Sequence, residues 1–211
     1  MKIKGKGIAD LLILCVFAVG CQSAPEEVKL IDAATEALLG RPEIRISTTQ
    51  STSSAGAENI DAVDQYNIVI RTQDSRITYY EESSDAKNYS FAMKYEDGKY
   101  YANASGPHTG QWVEQEAPEA SSGMLSFVTE ALSDYQFESV TQSTNGERTV
   151  YALERMVPDG SPADYEQYTY EYTLGPHQEL LKKVLMVQYN GTDTFYEVRM
   201  EMVVLPEGNV P

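Results

Sequence analysis

Apolar side chains recur at every second position along most of this 211-residue chain, and that spacing limits what it can become. Ile44/Ile46/Thr48, Tyr66/Ile68/Ile70, Tyr89/Phe91/Met93/Tyr95, Tyr168/Tyr170/Tyr172/Leu174 and Tyr196/Val198/Met200/Met202/Val204 each follow it. Successive residues of a strand point to opposite faces, so each set lines one face of a strand that is apolar on that side only. Asp97-Gly98, Asn145-Gly146 and Asn190-Gly191 stand between such runs. These dipeptides supply the positive φ that a tight hairpin demands, so the chain is expected to run as an antiparallel meander. Residues 51–61, "STSSAGAENID", and 156–164, "MVPDGSPAD", are small, polar and turn-rich, and read as loops.

Two stretches break the alternation. Ser23-Ala24-Pro25-Glu26 reads as a capping box with proline near the first helical position, and Val28, Ile31, Ala34, Thr35 and Leu38 follow at helical spacing. Gly40 and Pro42 end that helix. A second helix is expected over Met124, Phe127, Val128, Ala131 and Leu132, bounded by Pro118, Ser121/Ser122 and Asp134. The tetrapeptides TEAL (35–38 and 129–132) and TQST (49–52 and 141–144) each occur twice, with a helix end followed by a strand both times. Duplication of a helix-plus-sheet unit and chance matching both account for this.

The first twenty residues have their own logic. Lys2, Lys4 and Lys6 precede an apolar run from Leu11 to Val19, the layout of a secretory signal and too short to span a bilayer. Ala18-Val19-Gly20-Cys21 places small residues at −3 and −1 to a cysteine, as a bacterial lipobox does. Acylation of Cys21, with diacylglyceryl and palmitate-type chains, is the reading adopted; ordinary secretion with Cys21 as a free or paired thiol is the other. Cys15 lies within the segment that would be removed, so no disulfide framework is expected. The organisation expected is a signal peptide over 1–20, the acylated cysteine and a short tether over 21–25, a single domain over 26–205 and a tail over 206–211. The protein would then sit on the extracytoplasmic face of a bacterial cell membrane, held by Cys21. Each buried acyl CH₂ contributes about 0.8 kcal/mol to that hold.

The chain carries a formal charge of −16, and loss of residues 1–20 removes three lysines and one aspartate. Such a surface repels nucleic-acid phosphates, and nucleic acid is excluded as a partner. Chemistry is sparse. His108 and His177 each follow Gly-Pro in a turn and are not expected to hold a metal; no His-Glu-x-x-His, Gly-x-Ser-x-Gly or phosphate-cradling loop is present. No catalytic residue, metal or cofactor is expected, and an enzyme is not. The unusual feature is fifteen Tyr against five Phe, with six Met after Met1. Tyr joins a broad apolar body to a polar tip, and Met fills irregular space. Phe91, Met93, Tyr168, Tyr170, Met200 and Met202 are therefore candidates to line a cavity for a lipid or other amphiphile. Plain core packed against the helices is the competing reading.

"YEDGKYYANASGPHTGQWVEQE" (95–116) and "YTYEYTLGPHQELLKKVLM" (168–186), with the lipobox and the two helices, resemble the LolA/LppX/LprG-like superfamily, and in particular its small Gram-positive surface lipoproteins. The resemblance implies an α+β fold: a long antiparallel meander curled into a half-barrel, closed by an N-terminal and a mid-chain helix. It implies a cavity that takes acyl chains and no catalytic residues. A sensory or protein-interaction lipoprotein with a filled core, as in superfamily members that bind anti-sigma factors, is the alternative function. A purely structural surface protein is a third.

Overall fold

A computed structural model describes residues 24–54, 60–74, 76–107, 111–115, 123–159, 161–190 and 195–206. Helix α1 (Glu26–Leu39) leads into β1 (Glu43–Ser54), β2 (Ile60–Gln73), β3 (Arg76–Ser84), β4 (Tyr89–Glu96), β5 (Lys99–Asn103) and β6 (Val113–Gln115). A short α2 (Gly123–Thr129) then precedes β7 (Ser139–Asn145), β8 (Arg148–Asp159), β9 (Ser161–Leu174), β10 (Leu180–Asn190) and β11 (Phe195–Val204). The strands form one sheet of eleven, in the order β6-β5-β4-β3-β2-β1-β11-β10-β9-β8-β7. Every pairing is antiparallel.

The expected α+β half-barrel closed by helices is not what forms. The protein is one large, open antiparallel sheet carrying two short helices. The reason lies in the pairing of β1. It bonds to β2 on one side and to β11 on the other, so the two meanders spread outward from a shared centre. Their outer strands stay unpaired along one edge: β6 has three residues, all exposed, and β7 is exposed from Thr141 to Asn145.

Helix α1 buries the five residues that the spacing marks: Val28, Ile31, Ala34, Thr35 and Leu38. Its start differs from the expected capping box, because Pro25 is the N-cap and no side chain caps it. The C-cap Gly40 keeps a right-handed φ of −74°. The second helix stops at Thr129, short of the expected Ala131 and Leu132. Ala131 is exposed, whereas Leu132 is buried from outside the helix. The chain is turned there by Asp32 of α1, whose two carboxylate oxygens accept hydrogen bonds from the backbone N–H groups of Leu132 (2.7 Å) and Ser133 (2.9 Å). The α1 and α2 side chains then join Ile44, Ile46, Ile68, Ile70, Tyr80 and Leu153 in one core on a single face of the sheet.

Asp97 (φ 51°) and Gly98 (φ 83°) make the expected β4–β5 turn. The β7–β8 turn falls one place later than expected: Asn145 closes the ladder opposite Arg148, and Gly146 carries the positive φ of 63°. The Asn190-Gly191 turn lies outside the described residues beyond Asn190. Neither expected loop holds its full length as loop. Residues 51–54 and 60–61 belong to β1 and β2, and 156–159 and 161–164 to β8 and β9. The repeated tetrapeptides take matching places. Both TEAL segments sit at a helix end, with Thr35 and Thr129 each donating a side-chain bond to the carbonyl four residues back, and both TQST segments lie in the next strand.

Asp32 is the polar tie between the two halves of the helical layer. Asp32→Ala leaves two backbone donors short of an acceptor and is expected to lower stability by about 1–2 kcal/mol. Asp32→Asn, which keeps one acceptor oxygen, should lose roughly half as much. Urea denaturation of the three proteins measures this, and equal stability of Asp32→Ala and the parent refutes it.

Candidate functional site

Residues directly opposite in an antiparallel ladder share a face, so the registers of β8, β9, β10, β11 and β1 define rows across the helix-bearing side. The first row is Tyr151, Tyr172, Lys183, Met202 and Thr48. The second is Leu153, Tyr170, Leu185, Met200 and Gln50, and the third is Arg155, Tyr168, Val187, Val198 and Thr52. The fourth is Val157, Glu166, Tyr189 and Tyr196.

Burial falls steadily along this series. The whole first row is buried; the second is buried up to Leu185, with Met200 and Gln50 half-buried. The third is half-buried throughout. In the fourth, Val157 and Tyr196 are 38% and 39% exposed. The helices thus cover one end of the face and leave a surface of tyrosines and valines, with Arg155, Thr52 and Glu166 among them, less covered at the other. Where cover ends, a cavity of about 380 Å³ lies between Phe127, Thr129, Glu130 and Tyr135 on the helix side and Leu185 and Met200 on the sheet. Tyr189 and Tyr196 stack at 5.1 Å beyond it.

Beneath α2 the polar groups are held in a connected set. The Lys183 ammonium, buried in the first row, donates to the Phe127 carbonyl (2.6 Å) and to Glu130 (3.1 Å). It also faces the Phe127 and Tyr172 rings at 4.8 and 5.4 Å. Tyr170 donates to the other Glu130 oxygen over 3.4 Å. Burial pulls the Lys183 pKa below the ordinary lysine value, with Glu130 opposing that shift. Burial raises Tyr172 well above the usual phenol, and the nearby Glu130 charge adds to it. Tyr168 is pushed up to about 12 by burial and by its 2.5 Å hydrogen bond to Glu166.

Arg155, at the head of the third row, is held differently. Its guanidinium lies 3.9 Å from the Tyr135 ring centre, 4.3 Å from that of Tyr168 and 5.9 Å from that of Tyr170. Among the described residues no carboxylate pairs with it, and its Nε is buried without an acceptor.

Of the residues picked out in the sequence, Tyr168, Tyr170, Met200 and Met202 come together on this face. Tyr170 and Met202 are fully buried, Tyr168 and Met200 half-buried, and Met200 borders the cavity. Met93, buried, and Phe91, half-buried, lie on β4, six strand positions from β9 in the sheet order. Cys21 and His108 lie outside the described residues. His177 is exposed in the β9–β10 turn, where its backbone N–H donates to Glu179. Among the described residues, no three His, Cys, Asp or Glu groups are placed to hold a metal, and no helix is long and apolar enough to cross a membrane. Sequence reasoning missed Lys183, Glu130, Tyr135 and Arg155. Only Arg155 left a signal, as a cation in the apolar phase of Tyr151, Leu153 and Val157.

No protein-family model and no curated protein matches the chain. Among solved structures it is similar to a LolA superfamily protein of Nitrosomonas europaea, at 12% identity and a TM-score of 0.33, covering 87% of this chain and 94% of that one. It is also similar to a DUF1329 family protein of Desulfovibrio piger, at 8% identity and a TM-score of 0.36, covering 88% and 94%. Both likenesses are weak, and neither bears on what this chain binds.

The polar set makes a prediction about stability. Glu130→Gln leaves the buried ammonium without its carboxylate and is expected to cost about 2 kcal/mol at neutral pH. Lys183→Met removes the buried charge and should cost about 1 kcal/mol or less. Because the folded-state pKa of Lys183 is lowered, the unfolded chain binds more protons between that pKa and the usual lysine value. Stability from this group therefore rises with pH across that window. Above about pH 10 the raised tyrosines reverse the slope, since they ionise more readily when unfolded. Denaturant melts of the parent and Lys183→Met from pH 7 to 9.5 check it; parallel curves would remove Lys183 from the account.

Proposed function

We propose that this protein is a lipid-anchored extracytoplasmic lipoprotein that binds a lipid or other amphiphile on the uncovered part of its helix-bearing face. The single observation that carries the reading is the fall in burial from the first row to the fourth, on a surface where Tyr168, Val187, Val198, Val157, Tyr189 and Tyr196 lose cover. An apolar chain laid over Met200, Val187, Val198 and Tyr196 would remove that surface from water at about 25 cal/mol per Å². The cavity beside α2, at about 380 Å³, is near the small end of the range for ligand pockets and takes part of such a chain. In this reading the protein carries and presents its ligand and performs no catalysis. Cys21 supplies the anchor, and the cell is a bacterium.

A second reading has its own observation. Tyr170 and Met202 are filled core, and the space behind them is taken by Lys183 and Tyr172. That suits a sensory or protein-interaction lipoprotein whose uncovered rows meet another protein.

Native mass spectrometry of the chain as expressed in a bacterium, released from a non-ionic detergent, separates the two. A co-purifying species of about 0.5–2 kDa in stoichiometric amount is the expected result, in keeping with ligands of ordinary pocket size and above. A bare mass that incubation with membrane lipid leaves unchanged would falsify amphiphile binding. The anchor is checked in the same preparation: Cys21→Ala should move the protein from the membrane to the soluble fraction, and a membrane-bound variant would count against acylation there.

A further inference from the structure

Arg155 is out of keeping with its surroundings. The chain has 32 acidic residues to 16 basic ones, so carboxylates are plentiful. Yet this half-buried guanidinium stands beside tyrosine rings, with Nε shut away from water and without an acceptor. Two carboxylates of the site have donors of their own. Glu130 takes Lys183 and Tyr170, and Glu166 takes Tyr168. A guanidinium tolerates this because it is weakly hydrated, stacks on ring faces and hydrogen-bonds to the Tyr170 hydroxyl, while no described carboxylate pairs with its charge. A half-buried cation without a counter-charge is costly, so the site favours an anion brought to the guanidinium.

The row that Arg155 heads gives the rest of the ligand. Tyr168, Val187 and Val198 follow on the three neighbouring strands, all half-buried and all without charge. Three strand spacings of about 4.8 Å make a strip roughly 14 Å long. We infer that the uncovered face takes an amphiphile with an anionic head, a carboxylate or phosphate ester, whose head meets Arg155 and whose chain lies across Tyr168, Val187 and Val198. This rests on the amphiphile-binding reading above and narrows it to a charge class.

The test compares dodecanoate, dodecanol, dodecyltrimethylammonium and acetate as ligands of the full chain, by native mass spectrometry in a non-ionic detergent. Dodecanoate is expected to bind at least about tenfold more tightly than dodecanol, the step that one charge-assisted hydrogen bond provides. Acetate and the ammonium compound should bind far more weakly. In Arg155→Met, the preference for dodecanoate over dodecanol should vanish. Arg155→Lys should retain part of the preference. Equal binding of dodecanoate and dodecanol by the parent protein overturns the Arg155 assignment and leaves amphiphile binding standing. Preference for the ammonium compound overturns it too, in favour of the tyrosines and carboxylates as a cation site. Acetate binding as tightly as dodecanoate removes the chain from the site. Failure of all three dodecyl compounds to bind takes down both readings. The parent comparison decides the matter even where Arg155→Met does not fold.

Discussion

The pairing of β1 with β11 makes one protein out of two meanders. Its partners, from Ile46 opposite Val204 to Ser54 opposite Tyr196, are separated by most of the domain's length in sequence. Loop-closure entropy grows only slowly with length, by about 0.6 kcal/mol per doubling, so a ladder of nine residue pairs can bear it. One end of the seam is deeply buried. Ile44, Ile46, Thr48 and Met202 are all 2% exposed or less, and α1 packs over the adjoining β10. Contacts this distant in sequence form late and slowly. The two meanders, by contrast, are built from hairpins that each need only a turn. The fold therefore depends on its least local contact for a common core.

That dependence explains why part of the face is left bare. An eleven-stranded sheet is about 50 Å across. Helix α1, with fourteen residues, is about 21 Å long, and α2, with seven, about 10 Å. Two such helices can cover the seam and one end of the strands, and no more. Lys183 and Asp32 hold them there, the first from β10 to the end of α2 and the second from α1 to the turn after it. The residues at the boundary of cover are those that tolerate it: Tyr168 keeps its hydroxyl bonded to Glu166, and Met200 adapts to the cavity beside it.

What could be read in advance follows from how far each signal reaches. Alternation is local, and the phases of Ile44/Ile46, Ile68/Ile70, Tyr170/Tyr172 and Met200/Met202 correspond to one face in the structure. The heptad-like spacing of α1 is equally local and matches its buried residues. Closure is not local. Whether a meander rolls up or stays open is decided by which strands meet, and no residue of β1 announces that it bonds on both sides. The end of α2 was hidden for the same reason, because the group that turns the chain at Leu132 is a carboxylate one hundred residues earlier. Lys183 was hidden otherwise: it stands in "LLKKVLMV", where both phases are apolar around it and neither face can be told from the other. Even the "STSS" of residues 51–54, polar enough to read as loop, is strand because a ladder on each side satisfies its backbone.

The two cations under the helical layer show how the site divides structural from available charge. Lys183 is a compact, strongly hydrated ammonium, and burying it requires hydrogen bonds and a counter-charge, which the Phe127 carbonyl and Glu130 supply. Every part of that arrangement faces inward and is used up by folding. Arg155 sits two rows further toward the uncovered end, where an ammonium would be drawn out into water. A guanidinium can remain, because the Tyr135 and Tyr168 rings attract it without neutralising it. In a chain with twice as many acids as bases, an ion pair would be the ordinary outcome for any half-buried cation. Its replacement by rings leaves a positive charge without a described carboxylate beside an apolar surface that the helices do not reach.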